Sequence, residues 1–502
     1  MSSRRHQGQP QNVRYLPISQ DENKENMKTT KKDDGKNRHM GLFSGISLIV
    51  GSVIGSGIFV SPKEVILSAG SLGLSLIIWI AGGLVCIPGA ICYAELGCLI
   101  PSSGGDYTYI KEAFGDLMGF LRVWSEVIVT RPCILGVNAL TVFEYLLYPY
   151  MGSCISRLGL KFLACIGVLS ITALNAFSLR GPVIFQNIGT IGKVSALFVI
   201  IITGFVQMAK GRTSQFSNLF EGTENRPIRV AVAIHAGLFP YTGWNYLNNA
   251  VEELKNPARN LPIAIFVSLV FCTIVYTLTF ASYFTALSIS QVKTVPATAV
   301  SYIELIYSPL RYVLPLFVAL SALGGLNGNL FTISRMFFVA GRDGMAPSIT
   351  ATKHLHFNTP IVPAVFEGLL GCMYVCVGDI EQLLKYLSFT YWLVCLFAVI
   401  SLFVLRKKYK LPEGVEGVNA GKICPLIFIF VILVLNFISI AGSRKESKDF
   451  FIGMGIILSG VPVYLLFIAW RKPESLQSKL KNFTIVMQKA LNCYPEPMKT
   501  WE

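Results

Sequence analysis

Charge is scarce in this chain: of 502 residues only 14% are Asp, Glu, Lys or Arg, whereas 53% are hydrophobic. A soluble fold of this size needs a denser charged surface, so an ordinary water-soluble domain is excluded. Histidine is rarer still, with five residues that fall mainly in tails or loops. No metal-ligand spacing, GxSxG elbow or phosphate-cradling glycine loop is present, so neither an enzyme nor a cofactor is expected. Asn-x-Ser/Thr acceptors are missing from the expected outer loops, the one at Asn482 falling in the C-terminal tail. The net charge of +15 is scattered between apolar runs without a compact basic face, which argues against a nucleic-acid partner. Attraction of inner loops to anionic membrane lipid is sufficient to explain it.

Apolar length is what the chain has in abundance. Uninterrupted runs of roughly 18 or more residues recur along it, each about long enough to cross a ~30 Å hydrocarbon core as a helix. The expected fold is therefore an all-α membrane protein with 12 transmembrane helices, near 43–69, 73–98, 117–149, 158–178, 184–208, 230–254, 262–287, 311–340, 360–378, 382–405, 423–442 and 450–470. Residues 1–42 are polar and lack an apolar segment before a small-residue cleavage site, so a disordered cytosolic tail is expected there and a removable signal peptide is not. An even number of spans puts both termini on one side, together with Arg406, Lys407, Lys408, Lys410, Arg471 and Lys472. The positive-inside rule makes that side cytosolic.

Of the 12 cysteines, Cys86, Cys92, Cys133, Cys165, Cys272, Cys372, Cys376 and Cys395 lie inside expected spans, where a thiol acts as a small apolar filler. Cys154 differs, because Tyr148-Pro149-Tyr150-Met151-Gly152-Ser153-Cys154 follows the third span on the outer side. A lone thiol in an oxidising compartment points to an intermolecular disulfide, with a buried free thiol as the alternative.

Two spans are interrupted in corresponding positions. The first reads Gly51-Ser52-Val53-Ile54-Gly55-Ser56-Gly57-Ile58-Phe59-Val60-Ser61-Pro62, with a density of glycine that weakens helix. Five spans later the sixth reads Gly237-Leu238-Phe239-Pro240-Tyr241-Thr242-Gly243-Trp244-Asn245, where Pro240 removes a donor. Glycine in one span alone would be read as close helix packing. The pair in register is the signature of an inverted-repeat transporter with a midplane site. Broken turns expose amides at one end and carbonyls at the other, a match for a zwitterion. Amides around Ser56, Gly57 and Ile58 are placed to receive a carboxylate, and the carbonyls of Val53, Phe239 and Thr242 an α-ammonium group. Phe239, Trp244, Tyr246, Phe389 and Trp392 offer an apolar side-chain pocket, each having packing or interfacial anchoring as its alternative role.

These residues, with Gly104-Gly105-Asp106-Tyr107-Thr108-Tyr109-Ile110, Gly243-Trp244-Asn245-Tyr246-Leu247-Asn248, Glu252-Glu253-Leu254-Lys255-Asn256-Pro257 and Leu326-Asn327-Gly328, resemble the light subunits of heteromeric amino-acid transporters. That group is the L-type branch of the amino acid, polyamine and organocation (APC) superfamily, and the resemblance covers nearly all of residues 40–475. It implies a LeuT-like fold with inverted five-helix repeats at 43–208 and 209–405, extra helices in 406–470, and a cytosolic tail at 471–502. It further implies alternating access and exchange of amino acids across the plasma membrane. By the same resemblance Cys154 aligns with the family's bridging cysteine and joins a single-span glycoprotein heavy chain. The absence of outer glycosylation acceptors fits a chain that leans on such a partner.

Lys193 in Gly192-Lys193-Val194 is an intramembrane cation and hence a functional candidate, with snorkelling to the inner interface as the alternative. Sodium-coupled relatives of the fold hold a cation between the first, fifth and eighth helices, and the resemblance puts the Lys193 ammonium there, implying sodium-independent exchange. Glu126 and Arg131 are expected to support the structure by pairing or by bonding neighbouring helices, His235 to pack, and the inner loops Glu252–Pro257 and Arg335–Gly344 to close the inner side. Thr242 and Asn245 are neutral where cation-preferring light chains carry an aspartate at one or the other, and Tyr391 stands where the cystine and glutamate exchanger has an arginine. Large neutral amino acids such as leucine, phenylalanine and glutamine are the expected substrates. A broad neutral and cationic exchanger and a non-transporting receptor are the alternatives; an ion channel would need continuous polar rows that these spans lack.

Overall fold

A peptide group in hydrocarbon has no water to bond, so apolar stretches of this length must close their hydrogen bonds internally. The computed structural model describes residues 40–55, 57–100, 104–152, 154–178, 181–295, 297–378, 380–409, 418–440, 444–470 and 473–495, and it is helical nearly throughout. Ser56 and the Phe389 side chain lie outside the described residues, as does nearly all of the N-terminal tail.

The first apolar run splits into α1 (Leu42–Val53) and α2 (Gly57–Ala69), bent by 50° at the break. α3 (Leu72–Leu99) starts at Ser71, whose side chain accepts from the Leu74 amide. A short helix, α4 (Asp106–Phe114), precedes a continuous span formed by α5 (Asp116–Ser125), a π-helical turn at Glu126–Thr130 and α6 (Arg131–Met151). α7 (Arg157–Phe177) and α8 (Gly181–Ala209) follow. α9 (Pro227–Leu238) runs into a 3-10 turn at Phe239–Tyr241 and, beyond Thr242, a 3-10 stretch at Tyr246–Glu253. α10 (Pro257–Tyr283) opens on a proline, which suits a first helical turn because its missing N–H would be unpaired there.

The later elements are α11 (Ile289–Thr294), α12 (Thr298–Ile306), α13 (Val313–Arg342), α14 (Ile361–Val377), α15 (Ile380–Lys408), α16 (Ile423–Ile440), α17 (Arg444–Leu458), α18 (Gly460–Tyr464) and α19 (Glu474–Ala490). The strands β1 (Thr352–His354) and β2 (Cys493–Pro495) pair antiparallel and tie the C-terminal segment to the loop before α14. Among the described residues eight helices are long and apolar enough to cross a bilayer, nine if the bent α1–α2 pair is one span. Two shorter apolar helices lie at Ile361–Val377 and Ile423–Ile438.

Leu84, Phe198, Phe205, Phe430 and Phe437 are each more than half exposed, a surface that only lipid would solvate. The core lies between the helices, where α8 and α13 approach most closely. A Cβ on Gly189 would sit 2.6 Å from the Gly324 Cα, and one on Gly192 would sit 3.0 Å from the Phe317 carbonyl oxygen. This backbone contact fixes the position of the adjacent Lys193.

The inner loop expected at Arg335–Gly344 is helical as far as Arg342, within α13. Arg335 stays on its own helix, donating to the Phe331 carbonyl at 2.9 Å with its guanidinium over the Phe331 ring. Charge marks the water boundary but does not end a helix when the side chain finds an acceptor one turn back. Replacing Gly189 with leucine should force α8 from α13 and cost about 1–3 kcal/mol or more, by overpacking. The measurement is the thermal midpoint in detergent, with Gly455→Ala, which meets nothing within 4 Å, as the unchanged control.

Candidate functional site

The last turn of α1 presents carbonyl oxygens, and each has a role. Val50 accepts from the Ile54 amide at 2.9 Å and closes the helix. Gly51 accepts from the Lys193 Nζ at 2.8 Å, and Val53 accepts from the Tyr276 hydroxyl at 2.8 Å. A helix C-terminus carries partial negative charge, so the buried ammonium of α8 lies where the dipole favours a cation. Lys193 is 2% exposed, so it does not snorkel to the interface in this conformation. On the far side of the break, α2 begins at Gly57, and the first amides of a helix have no acceptor in their own helix.

The second break folds directly onto the first. A Cβ on Gly57 would lie 2.9 Å from the Pro240 Cα and 3.2 Å from the Phe239 Cε1, so only glycine lets the two chains touch. Gly243, at φ +102°, packs against the Ser52 backbone. Tyr276 of α10 joins them, because its hydroxyl lies 2.8 Å from the Val53 oxygen and 3.0 Å from the Pro240 oxygen. One proton is shared between two carbonyls that would otherwise repel across the gap.

The expected carbonyl acceptors are not equivalent. Phe239 accepts from both the amide (3.0 Å) and the hydroxyl (2.8 Å) of Thr242, so an ammonium group there would have to compete with an existing turn. The aromatic residues separate as well. Phe239 packs with Val60 beside α6 and α13, whereas Trp244 and Trp392 belong to the other core cluster. Trp244 lies edge-on to Tyr93 with centroids 4.9 Å apart, and Trp392 packs against Tyr391 and Phe428. Both tryptophans are fully buried.

Asn245 and Tyr246 lead away from the break into a chain of polar groups. The Asn245 amide nitrogen donates to both oxygens of Asp106 (3.3 and 3.2 Å), and its oxygen accepts from the Tyr391 hydroxyl at 2.9 Å. That hydroxyl also receives the Gly243 amide at 3.2 Å. Asp106 pairs with Arg122 at 3.4 Å, Arg122 with Glu126 at 2.5 Å, and Glu126 with Arg131 at 2.5 Å. Arg131 ends the chain on Asn329 at 2.7 Å and lies over the Tyr246 ring at 5.1 Å. The expected pairing of Glu126 with Arg131 is present, and the π-helical turn between them brings residues five apart onto one face. Alternating signs leave these four ions with no net charge, the condition under which burial is tolerated.

Three contacts join the segments at the end of the molecule that carries Met40 and Arg406. The Lys255 amide donates to the Met40 carbonyl at 2.9 Å, which fastens the start of α1 to the segment before α10. Arg406 binds Glu95 through two bonds of 2.6 and 2.7 Å, and the Ala420 amide adds a third at 2.7 Å. Lys408 and Tyr409 reach Glu112 at 2.7 and 2.8 Å, and the ammonium holds that carboxyl below the usual carboxylate range. This contact is present above that range and is lost as pH falls through the lowered value. Glu252 and Glu253 side chains lie outside the described residues. Cys154, beyond α6, is exposed, which rules out the buried-thiol alternative. His235 bonds the Ala231 carbonyl on its own helix at 3.0 Å, as a packing residue would.

Sequence reasoning missed Tyr276, Arg122 and Asn329; a hydroxyl inside an apolar run was the available signal for the first, since a buried tyrosine usually finds an acceptor. Tyr276→Phe should leave two facing carbonyls without a donor, costing about 1–3 kcal/mol. A lowered thermal midpoint together with a raised KM for amino-acid uptake is the expected result.

The family described as amino acid permease matches residues 40–468. The large neutral amino acids transporter small subunit 2 of Mus musculus is 41% identical over 465 residues, covering 91% of this chain and 87% of its own. The cystine/glutamate transporter of Homo sapiens is 37% identical with 92% of each chain covered, and the b(0,+)-type amino acid transporter 1 of Mus musculus is 37% identical with 88% and 90% covered. Among solved structures, MhsT in complex with L-phenylalanine superposes with a TM-score of 0.54 at 12% identity, over 78% of this chain and 97% of that one. That likeness establishes the LeuT-like fold. The chain belongs to the amino acid permease family, among the light subunits of heteromeric amino-acid transporters whose motifs it shares.

Proposed function

We propose that this chain is a sodium-independent exchanger of large neutral amino acids, working by alternating access as the light chain of a disulfide-linked heterodimer. The observation that carries this reading is the contact of the two helix breaks, with Gly57 against Phe239 and Pro240. It puts α2 amides and α1 carbonyls on opposite sides of one small gap, where a zwitterion meets complementary partial charges at both ends. In this reading Ser56, Gly57 and Ile58 receive the carboxylate, and Val53 and Thr242 the ammonium. Phe239 and Tyr246 bound the side chain. Trp244, Asn245, Trp392 and Phe389 shape the pocket from behind. Lys193 supplies from within the protein the positive charge that a sodium ion would bring, as its bond to Gly51 supports.

The two shorter apolar helices and the interrupted α9 complete the set of 12 spans expected from sequence. They divide into inverted repeats at 43–208 and 209–405, with extra helices in 406–470 and both termini cytosolic in the plasma membrane. The exposed Cys154 is the attachment point of the glycoprotein heavy chain. Neutral substrates are favoured because Asn245 and Tyr391 are engaged with each other and neither carries a charge. A broader exchanger that also takes arginine or lysine draws support from Asp106, whose carboxylate lies directly behind Asn245. A receptor that does not transport would show binding without flux.

Vesicles containing the chain and preloaded with unlabelled leucine should take up labelled leucine severalfold faster than empty ones in sodium-free buffer. No trans-stimulation would remove the exchange assignment, and strict sodium dependence would remove the role of Lys193. Cys154→Ser should abolish the high-mass band on non-reducing gels while exchange persists; a surviving band would refute the disulfide.

A further inference from the structure

Among the described residues, Glu367 is the one carboxylate that is buried with both oxygens unpartnered. It is fully buried in α14, and neither carboxyl oxygen has a hydrogen-bond partner among the described residues. An intramembrane carboxyl is costly enough that a functional role is its default explanation. Its surroundings are fixed by close contacts. On the same helix, a Cβ at Gly368 would lie 2.2 Å from the Thr172 Oγ1, and one at Gly371 would lie 3.2 Å from the Leu135 Cβ, one turn beyond Arg131. Tyr374 donates to the Ile128 carbonyl at 2.7 Å, so α14 packs over the π-helical turn that holds the Glu126–Arg131 pair.

Charge decides what form this carboxyl takes. Arg131 and Glu126 are the ionised groups that act on Glu367, and they act with opposite signs. Arg131 is already committed to Glu126 and Asn329. The other titratable groups on elements packed against α14 include Cys133 and Glu144, which follow Arg131 on α6. Arg335 bonds Phe331, Lys353 lies over the Phe338 ring, and Lys161 reaches the Cys376 carbonyl about two turns further along. His354 lies on β1, Arg342 ends α13, Arg157 begins α7, and the thiol of Cys165 faces Cys372. The four ions from Asp106 to Arg131 cancel, so a fifth, ionised Glu367 would leave one uncompensated negative charge inside the membrane.

We propose that Glu367 is a proton-binding site of the transporter, carrying its proton in the conformation described and ionising during the cycle with Arg131 as counter-charge. The proton comes from water and returns to water; no bond other than O–H forms or breaks. Rearrangement of the π-helical turn that carries Glu126 and Arg131 frees the guanidinium for Glu367, and reprotonation accompanies the return to this conformation. The transport half of this inference rests on the exchanger reading, whereas the proton on Glu367 does not.

The test uses the full chain reconstituted in lipid, with infrared difference spectra recorded with and without leucine. Wild type should show a carboxylic-acid C=O band that changes with leucine, and the band should vanish in both Glu367→Gln and Glu367→Met. Neither variant removes a hydrogen bond, so thermal midpoints at or above wild type are expected; a marked drop in both would make Glu367 a structural ion and overturn the proposal. Leucine exchange by wild type should change severalfold between about pH 6 and about pH 9, while the Gln variant stays flat within about twofold. A band that survives substitution, its absence from wild type, or a Gln variant with the wild-type pH profile would overturn the assignment. No exchange by wild type would count against the transport reading alone, because the band is read without flux.

Discussion

The rest of this structure depends on the shared hydroxyl proton of Tyr276, which bridges Val53 and Pro240 where two helices are broken inside hydrocarbon. Unpaired peptide groups at that depth cost several kcal/mol each by order of magnitude. A single broken helix would be a defect, but two breaks facing each other can share their donors. Glycine at 57 permits the contact and Lys193 neutralises the end of α1. The same bare dipoles that make the arrangement costly make it receptive to a small zwitterion.

Around this centre the protein places a neutral relay of ions. Asp106 opens α4, Arg122 precedes the π-helical turn that Glu126 begins, and Arg131 touches Tyr246 and Asn329. Because Asn245 bonds Asp106 and Tyr391 at once, movement at the second break is transmitted to α4 and α15 without passing through the apolar core. α15 in turn carries Arg406 and Lys408, which pair with Glu95 and Glu112. Parting these elements would exchange the bond between Glu95 and Arg406 and the more exposed contact of Lys408 with Glu112 for water.

Much of this was legible in the sequence because it is written in backbone chemistry. Gly51 to Gly57 and Pro240 to Gly243 announce breaks when taken as a pair in register, and apolar length announces the spans. What stayed hidden depends on which side chains meet across helices. Trp244 and Trp392 have the composition of pocket walls, yet packing against Tyr93 and Phe428 takes them into the core. Asn245 reads as a neutral pocket residue, but its three bonds turn it toward Asp106. Arg335 reads as the start of a loop and is helical because its own Phe331 carbonyl satisfies it. Glu367 could be flagged as an acid in an apolar run, but only the fold shows that neither oxygen finds a hydrogen-bond partner among the described residues.

The most direct measurement is an experimental density map of the chain with leucine bound, at a resolution that orients the ligand. The account predicts the leucine carboxylate at the Gly57 and Ile58 amides and its ammonium group toward Val53, with both helix breaks in contact. Ligand density elsewhere, or two unbroken helices in place of α1–α2 and α9, would contradict it.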